Sequence, residues 1–218
     1  MTQYDTPQVW KLPEPTLRRL PWYLAFVKLL RGRGEVYVSS TQIAKEINVD
    51  SSQVAKDLSF VNIAGKTGVG YEVETLIAAL EDFLGFTLQH KAFLFGVGSL
   101  GAALLQDSGL RQYGLDIIAG FDVKEELAGR MINGIPVYHT SEFPDRQKEL
   151  GATIGVITVP VDQAQAVTVH IIAEGIRALW NFTPFRIHVP EDVVVQNTSI
   201  YAHLAVMFNR LSLINHKK

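Results

Sequence analysis

Residues 93–104 read Phe93-Leu94-Phe95-Gly96-Val97-Gly98-Ser99-Leu100-Gly101-Ala102-Ala103-Leu104, and this stretch decides the fold. It predicts a buried strand over 92–95, a glycine turn, and a helix beginning near Ser99. Gly96, Gly98 and Gly101 stand at G-x-G-x-x-G spacing, with Val97, Ser99 and Leu100 between them. The first glycine permits the tight turn, the second lets a pyrophosphate approach the main chain, and the third lets helix pack on strand. Unpaired N–H groups and the positive end of the helix dipole then favour phosphate. A plain strand-to-helix turn needs glycines too, so the context matters. A second apolar run, 117–121, ends on Asp122, 21 positions beyond Gly101 and followed by Val123. That is the expected place for a carboxylate that accepts hydrogen bonds from a ribose diol. No arginine follows it, which favours NAD over its 2′-phosphorylated relative.

Downstream, strand and helix alternate, the pattern of a parallel sheet covered on both faces. Strands are expected at 92–95, 116–121, 135–137, 153–159, 177–181 and 193–195. Helices are expected at 99–107, 124–130, 141–149, 163–174 and 199–214. Ligands in such sheets bind beyond the carboxyl ends of the strands. Those ends add Thr158-Val159-Pro160 and Asn181-Phe182-Thr183 to the candidate cofactor residues, although proline after a strand is also ordinary turn chemistry.

Upstream, Leu17, Leu20, Leu24, Val27 and Leu30 follow a helical period, and Gly32 and Gly34 end it. Residues 1–14 read as polar and irregular. The stretch 38–61 then reads as two short helices joined by a turn at 48–50, the first capped by Ser40 or Thr41 and the second by Ser51 or Ser52. This is a helix-turn-helix, with a small core of Ile43, Ala44, Ile47, Val49, Val54 and Leu58. Its second helix, running to about Val61, would present Ser51, Ser52, Gln53, Lys56 and Ser59 outward, groups suited to phosphates and base edges in a major groove. The glycine-rich segment 62–71 carries Lys66 and closes on Tyr71, as expected of the wing of a winged helix, placed to touch the DNA backbone or minor groove. An amphipathic helix follows within 72–90. The expected divisions are 1–86 for the winged-helix domain, 87–196 for the Rossmann-like domain, and 197–218 for a terminal helix. In that helix Ile200, Leu204, Met207, Phe208, Leu211 and Ile214 form an apolar stripe.

Composition narrows the function classes. Cysteine is absent from the 218 residues, which excludes a disulfide framework and thiol redox chemistry and suits a cytoplasmic setting. The six histidines show no close metal-ligand spacing, so no metal is expected. No apolar run reaches the roughly 18 residues of a membrane span, and there is no signal-peptide pattern. The net charge of −2 conceals an asymmetry: residues 1–71 carry +3 and residues 72–218 carry −5. A basic first third hints at an anionic partner.

Taken together, these residues resemble the Rex family of bacterial redox-sensing transcriptional repressors, from about Thr16 to Ile214. The carriers are RRLPWYLAF, QVAKDLSF and GKTGVGY in the first third. In the sheet they are FGVGSLGAAL, Asp122 within FDV, GIPVY, TVP at 158–160 and NFTP at 181–184. The resemblance implies a homodimer whose winged helices read an AT-rich inverted repeat of operator DNA. Each second domain would bind NADH or NAD⁺, and a high NADH/NAD⁺ ratio would release the operator. It also implies a last helix exchanged between subunits. Four positions depart from the family pattern: Ala55 and Thr67 replace basic residues, Asp107 stands where a tyrosine is usual, and Ser199 replaces an acidic residue. The family arginine aligned with Arg19 thereby loses its acidic partner, and the sequence suggests that Asp107 pairs with Arg19 or Arg18 instead.

Two other classes compete with this reading. A dehydrogenase needs a proton donor beside the nicotinamide and a domain to place substrate, and only His139 and His170 fall near a plausible cleft. The expectation is therefore that the chain is not an enzyme and has no catalytic residues. A CoA-binding module could share the sheet, but Asp122 suits a ribose diol.

Overall fold

The structure is a computed structural model and describes residues 12–215. Of the irregular stretch expected at residues 1–14, residues 1–11 lie outside the described residues, as does His216, while Glu14 already belongs to the first helix. The chain divides into two compact units, Met1–Thr87 and Leu88–Lys218.

In the first unit α1 (Glu14–Gly32), α2 (Ser40–Ile47), α3 (Ser51–Ser59) and α4 (Val73–Phe83) enclose a core with a two-stranded sheet, β1 (Tyr37–Val38) and β2 (Tyr71–Glu72), at its edge. Leu20, Tyr23, Leu24 and Val27 of α1 are fully buried against Ile43, Val54, Leu58, Leu76 and Leu80. The first cap differs from expectation. Ser39, one residue earlier than read, accepts from the Gln42 amide while the Gln42 side chain accepts from the Ser39 amide. This capping box satisfies two otherwise unpaired groups, which Ser40 or Thr41 could not do in reciprocal fashion. At α3 the flanking residue is Asp50, which makes no side-chain cap.

The second unit is a seven-stranded sheet in the order β5-β6-β4-β3-β7-β8-β9. Its strands are β3 (His90–Phe95), β4 (Leu115–Asp122), β5 (Met131–Ile132), β6 (Ile135–His139), β7 (Ile154–Ile157), β8 (Ala178–Asn181) and β9 (Val194–Asn197). All neighbours run parallel except β5, which pairs antiparallel with β6. From β3 the chain builds outward through β4 to β6, then returns to β7 on the other side. The crevice between the ends of β3 and β7 is therefore the topological switch point. The helices are α5 (Ser99–Gln106), α6 (Gly109–Gln112), α7 (Phe143–Leu150), α8 (Ala164–Ala173) and α9 (Ile200–Asn215).

Alternation along β3 sorts the core into two layers. Phe93 and Phe95 face Phe121 and Phe143, with ring centroids 5.1–6.0 Å apart. Ala92 and Leu94 face the opposite layer with Leu105, Ile117 and Val137.

The expected helix at 124–130 does not form. Asn133 and Gly134 both take positive φ, 50° and 79°, the requirement of a two-residue hairpin turn. That hairpin takes Met131–Ile132 as a strand, and paired hydrogen bonds between Val137 and residues 129–130 extend it backward. Only turns fit in the residues left before it. Two other elements also differ from expectation: α6 is additional, and β7 is shorter than expected.

Candidate functional site

At the end of β3, three glycines occupy positions whose geometry explains them. Gly96 has φ +94°, and a Cβ there would lie 2.8 Å from the Val159 amide nitrogen. At Gly101 a Cβ would lie 2.1 Å from the Gly96 carbonyl oxygen. No side chain can be accommodated there without moving backbone. Gly98 is different: a Cβ would meet nothing within 4 Å. It flanks the N-terminus of α5, whose first-turn N–H groups lack intrahelical acceptors. An open, uncrowded main chain at a helix N-terminus is what a phosphate requires.

Two side chains hold this turn in place. Asp122 Oδ2 accepts from the Val97 amide at 2.6 Å, and Oδ1 accepts from the Lys124 amide at 3.0 Å. The Thr158 hydroxyl reaches the Phe95 and Gly96 carbonyls at 3.1 and 2.7 Å. Thr158 thus straps the turn from the neighbouring strand end.

These residues open onto a cleft of about 960 Å³. Among the residues expected from the sequence, Gly96, Gly98, Asp122, Val123, Thr158, Val159 and Pro160 line it. Val97 and Gly101 are buried under the turn, whereas Ser99 and Leu100 lie exposed on the first turn of α5. Asn181, Phe182 and Thr183 are not brought to this cleft. Asn181 is fully buried, bonded to the Phe185 carbonyl, to Asn197 and to Thr183. Phe182 packs on Trp180 with centroids 4.5 Å apart. This hydrogen-bonded knot secures the loop after β8.

Several lining residues were not named as cofactor candidates. His139 and Ser141 arrive because β6 lies beside β4 with His139 in register with Asp122; the His139 Nδ1 lies 2.7 Å from the Ser141 hydroxyl. Gln163, Val167 and His170 line the opposite wall. Their i, i+4, i+7 spacing marks one face of α8, a signal legible in the sequence. With Phe95, Phe121 and Phe143 behind them, they give an apolar slot with a few polar groups at its mouth, a form suited to a nucleotide.

In the first unit Ser51, Ser52, Lys56 and Ser59 are exposed along α3. Gln53 is half-buried, because its amide donates to Asp57 at 2.8 Å. Asp57 is fully buried and collects hydrogen bonds from Thr16 (2.9 Å), Arg19 (2.7 and 2.9 Å), Tyr23 (2.6 Å) and Gln53. Burial by itself would raise its carboxyl pKa. The four donors, Arg19 foremost, outweigh it and hold the group below the usual carboxylate range. Tyr23 is pushed up, first by burial and then by its bond to the carboxylate. The network ties α3 to α1 and sets the angle at which α3 presents its outer face.

The three groups implicated in the suggested ion pair have other partners within their units. Arg19 engages Asp57, Arg18 engages Glu14 at 2.6 Å, and Asp107 Oδ1 accepts from the Gly109 amide at 2.6 Å.

The wing closes through paired bonds between Lys66 and Gly70. Gly70 has φ +106°, and a Cβ there would lie 2.4 Å from the Val38 carbonyl oxygen, so the hairpin lies flush on β1. Lys66 is exposed where the hairpin closes. Tyr71 is half-buried and packs by its ring against Gly65, and burial raises its phenol pKa. Its ring therefore supports the hairpin.

Among the described residues no helix is long and apolar enough to cross a membrane, and no cluster of three or more metal-ligating side chains occurs.

Comparison with known proteins agrees with this division. Residues 11–59 match a family described as "Putative DNA-binding protein N-terminus", and residues 87–185 match one described as "CoA binding domain". The chain is 68% identical over 202 residues to the redox-sensing transcriptional repressor Rex of Bacteroides fragilis, covering 93% of this chain and 92% of that one. It is 61% identical over 201 residues to the Rex repressor of Porphyromonas gingivalis, covering 92% of each. Among solved structures, a complex of RSP with beta-NAD⁺ and operator DNA superposes with a TM-score of 0.88 at 28% identity, covering 94% of both chains. RSP bound to beta-NADH gives 0.85 at 28% identity, covering 95% of this chain and 99% of that one.

Proposed function

This chain belongs to the Rex family of redox-sensing transcriptional repressors, and from that premise we propose how its two units divide the work. The protein is a DNA-binding repressor that responds to NADH and NAD⁺. The observation that carries the assignment within this chain is the glycine turn clamped by Asp122 beside an apolar cleft.

The residues present fit a dinucleotide. Gly98 leaves the main chain open for the pyrophosphate, and the N-terminus of α5 offers donors to it. Asp122 has spent one lone pair on each oxygen and retains others for the ribose hydroxyls. Val123, Val159, Pro160 and Val167 offer apolar walls to a base. When bound, the nicotinamide supplies the oxidised or reduced state that is sensed. The protein's own part is to hold the dinucleotide and to exist in two states of different operator affinity, which the two redox forms bias unequally. Asn181 and Thr183 support the loop after β8 and do not line the dinucleotide cleft.

The first unit places α3 in the major groove, with Ser51, Ser52, Lys56 and Ser59 toward DNA and Lys66 of the wing on the backbone. Gln53 serves from a shared position, part of the Asp57 network and part of the outer face. The operator is an AT-rich inverted repeat, which matches a two-fold symmetric reader. We read the chain as a regulator and not an enzyme, in line with relatives that are named transcriptional repressors.

The working form is a homodimer in the cytoplasm. Along α9 every residue from Ile200 to Ile214 is exposed except Leu204, which is half-buried. Tyr201, Val206, Met207, Phe208, Leu211, Leu213 and Ile214 are each more than half exposed. An apolar helix with no cover of its own requires a partner surface. Exchange of α9 with a second copy supplies it. Operator binding measured across NADH/NAD⁺ ratios tests the function as a whole.

A further inference from the structure

The wing carries a contact that the helix-turn-helix pattern does not require. Lys66 Nζ donates to the Tyr37 hydroxyl at 3.3 Å, and it also lies 5.3 Å from the centroid of the Tyr37 ring. Twenty-nine positions separate the two residues, and the fold brings them together. Val38 pairs with Tyr71 across the β1–β2 ladder, and Lys66 is bridged to Gly70. With no Cβ at Gly70, the hairpin settles directly onto β1.

The chemistry of the pair is specific. Lys66 is the sole cation in the segment 65–71. A lysine on an exposed hairpin samples many rotamers, and fixing one of them costs entropy when a ligand is gripped. The Tyr37 hydroxyl accepts from the ammonium at 3.3 Å, so the half-buried Tyr37 restrains the exposed Lys66 before any ligand arrives. The phenol oxygen accepts from the ammonium, which leaves its own O–H free to donate. Two further N–H groups of the ammonium remain as well. A single anionic oxygen cluster can take both sets of donors, and along DNA that cluster is a backbone phosphate.

We propose that Tyr37 and Lys66 form one phosphate grip on the wing. Lys66 supplies the charge, while Tyr37 aims the ammonium and donates its own hydrogen to the same phosphate. The inference rests on the DNA-binding reading above and adds to it Tyr37, a residue outside both the recognition helix and the wing tip.

The test uses the full-length protein, with Tyr37→Phe, Lys66→Ala and the double variant. Each is titrated by fluorescence anisotropy onto an AT-rich inverted-repeat duplex and onto a scrambled duplex of equal length, over a series of KCl concentrations. Tyr37→Phe keeps the ring and removes one neutral donor. It is expected to weaken binding about 3-fold to 10-fold on both duplexes, with the salt slope unchanged. Lys66→Ala is expected to lower the slope by about one unit. In the Lys66→Ala background, Tyr37→Phe should lose less than it does with Lys66 present, because the two groups share one phosphate.

Tyr37→Leu, which also removes the ring, should lose more than Tyr37→Phe. Unchanged NADH affinity and thermal midpoint are the checks on folding, and Tyr37→Phe decides the matter if the leucine variant is unstable. The proposal is overturned if Tyr37→Phe binds like the unsubstituted protein, if it loses equally in both backgrounds, or if its loss is confined to the inverted repeat. Failure of the unsubstituted protein to bind either duplex would remove the DNA-binding reading itself, a result distinct from those three.

Discussion

Asp122 Oδ2 accepts the Val97 amide hydrogen at 2.6 Å, so one carboxylate both ends β4 and fixes the glycine turn that follows β3. The residue proposed to bond a ribose is thus the one that holds the glycine turn. On the proposed reading, binding and loop geometry are coupled through a single side chain, whose loss would remove a ligand contact and leave the Val97 N–H without its acceptor.

Asp122→Ala should accordingly weaken NADH binding by at least about 1.5 kcal/mol, the scale of a hydrogen bond to a charged group. Operator binding without cofactor should stay intact, because the affected residues lie in the second unit. Isothermal titration calorimetry with NADH measures the first and a gel shift the second. Equal NADH affinity in the variant contradicts the role given to Asp122.

Asp57 should stabilise the first unit in a pH-dependent way. Its folded pKa is depressed, so its contribution is fully present above the unfolded value of roughly 3.9 and is lost as pH falls through the folded value. Asp57→Asn should lower stability at pH 7 by about 2–3 kcal/mol, below the roughly 3–5 kcal/mol of a broken, fully buried pair, because the Arg19 side chain remains a quarter exposed. The gap between the two proteins should hold from pH 7 to about pH 4 and narrow below it. Urea midpoints across that range provide the measurement; a gap that widens on acidification contradicts the account.

Lys56 is exposed on α3, and its side chain makes no hydrogen bond or ion pair among the described residues. Lys56→Ala should leave the unfolding midpoint in place and flatten the salt dependence of operator binding by about one unit. A loss confined to one operator position would identify Lys56 as a base reader instead.

Much of this was legible in the sequence because it depends on local backbone demands. Gly101 must be glycine because the Gly96 carbonyl lies where its Cβ would sit, and alternation along Phe93, Leu94 and Phe95 already separates two core layers. What the sequence concealed depends on neighbours distant along the chain. Residues 124–130 carry helix-forming side chains, yet the Asn133-Gly134 turn claims the following residues for a hairpin. His139 belongs to the cleft only because β6 pairs beside Asp122. Asn181 and Thr183 stand at a strand end, where a polar residue can line a ligand site or close a loop, and pattern does not separate the two. Asp57 did leave a signal: a carboxylate next to Leu58, on the buried face of α3 with Val54, demands donors, and Arg19 and Tyr23 stand one helical turn apart on α1.

Truncation after Asn197 should remove the surface proposed to join two copies. The expected product is monomeric or insoluble and without operator affinity, by sedimentation velocity and gel shift. A soluble truncated dimer contradicts the exchange of α9.

The central claim is that the dinucleotide's redox state governs operator affinity through this chain. Its most direct test is fluorescence anisotropy on a labelled AT-rich inverted-repeat duplex, with total nucleotide fixed and the NADH/NAD⁺ ratio raised from zero. The account predicts bound operator at low ratio, release as NADH accumulates, and no release by NADH in Asp122→Ala at the concentration that frees the unsubstituted protein. Operator affinity that stays constant across the whole range of ratios would contradict it.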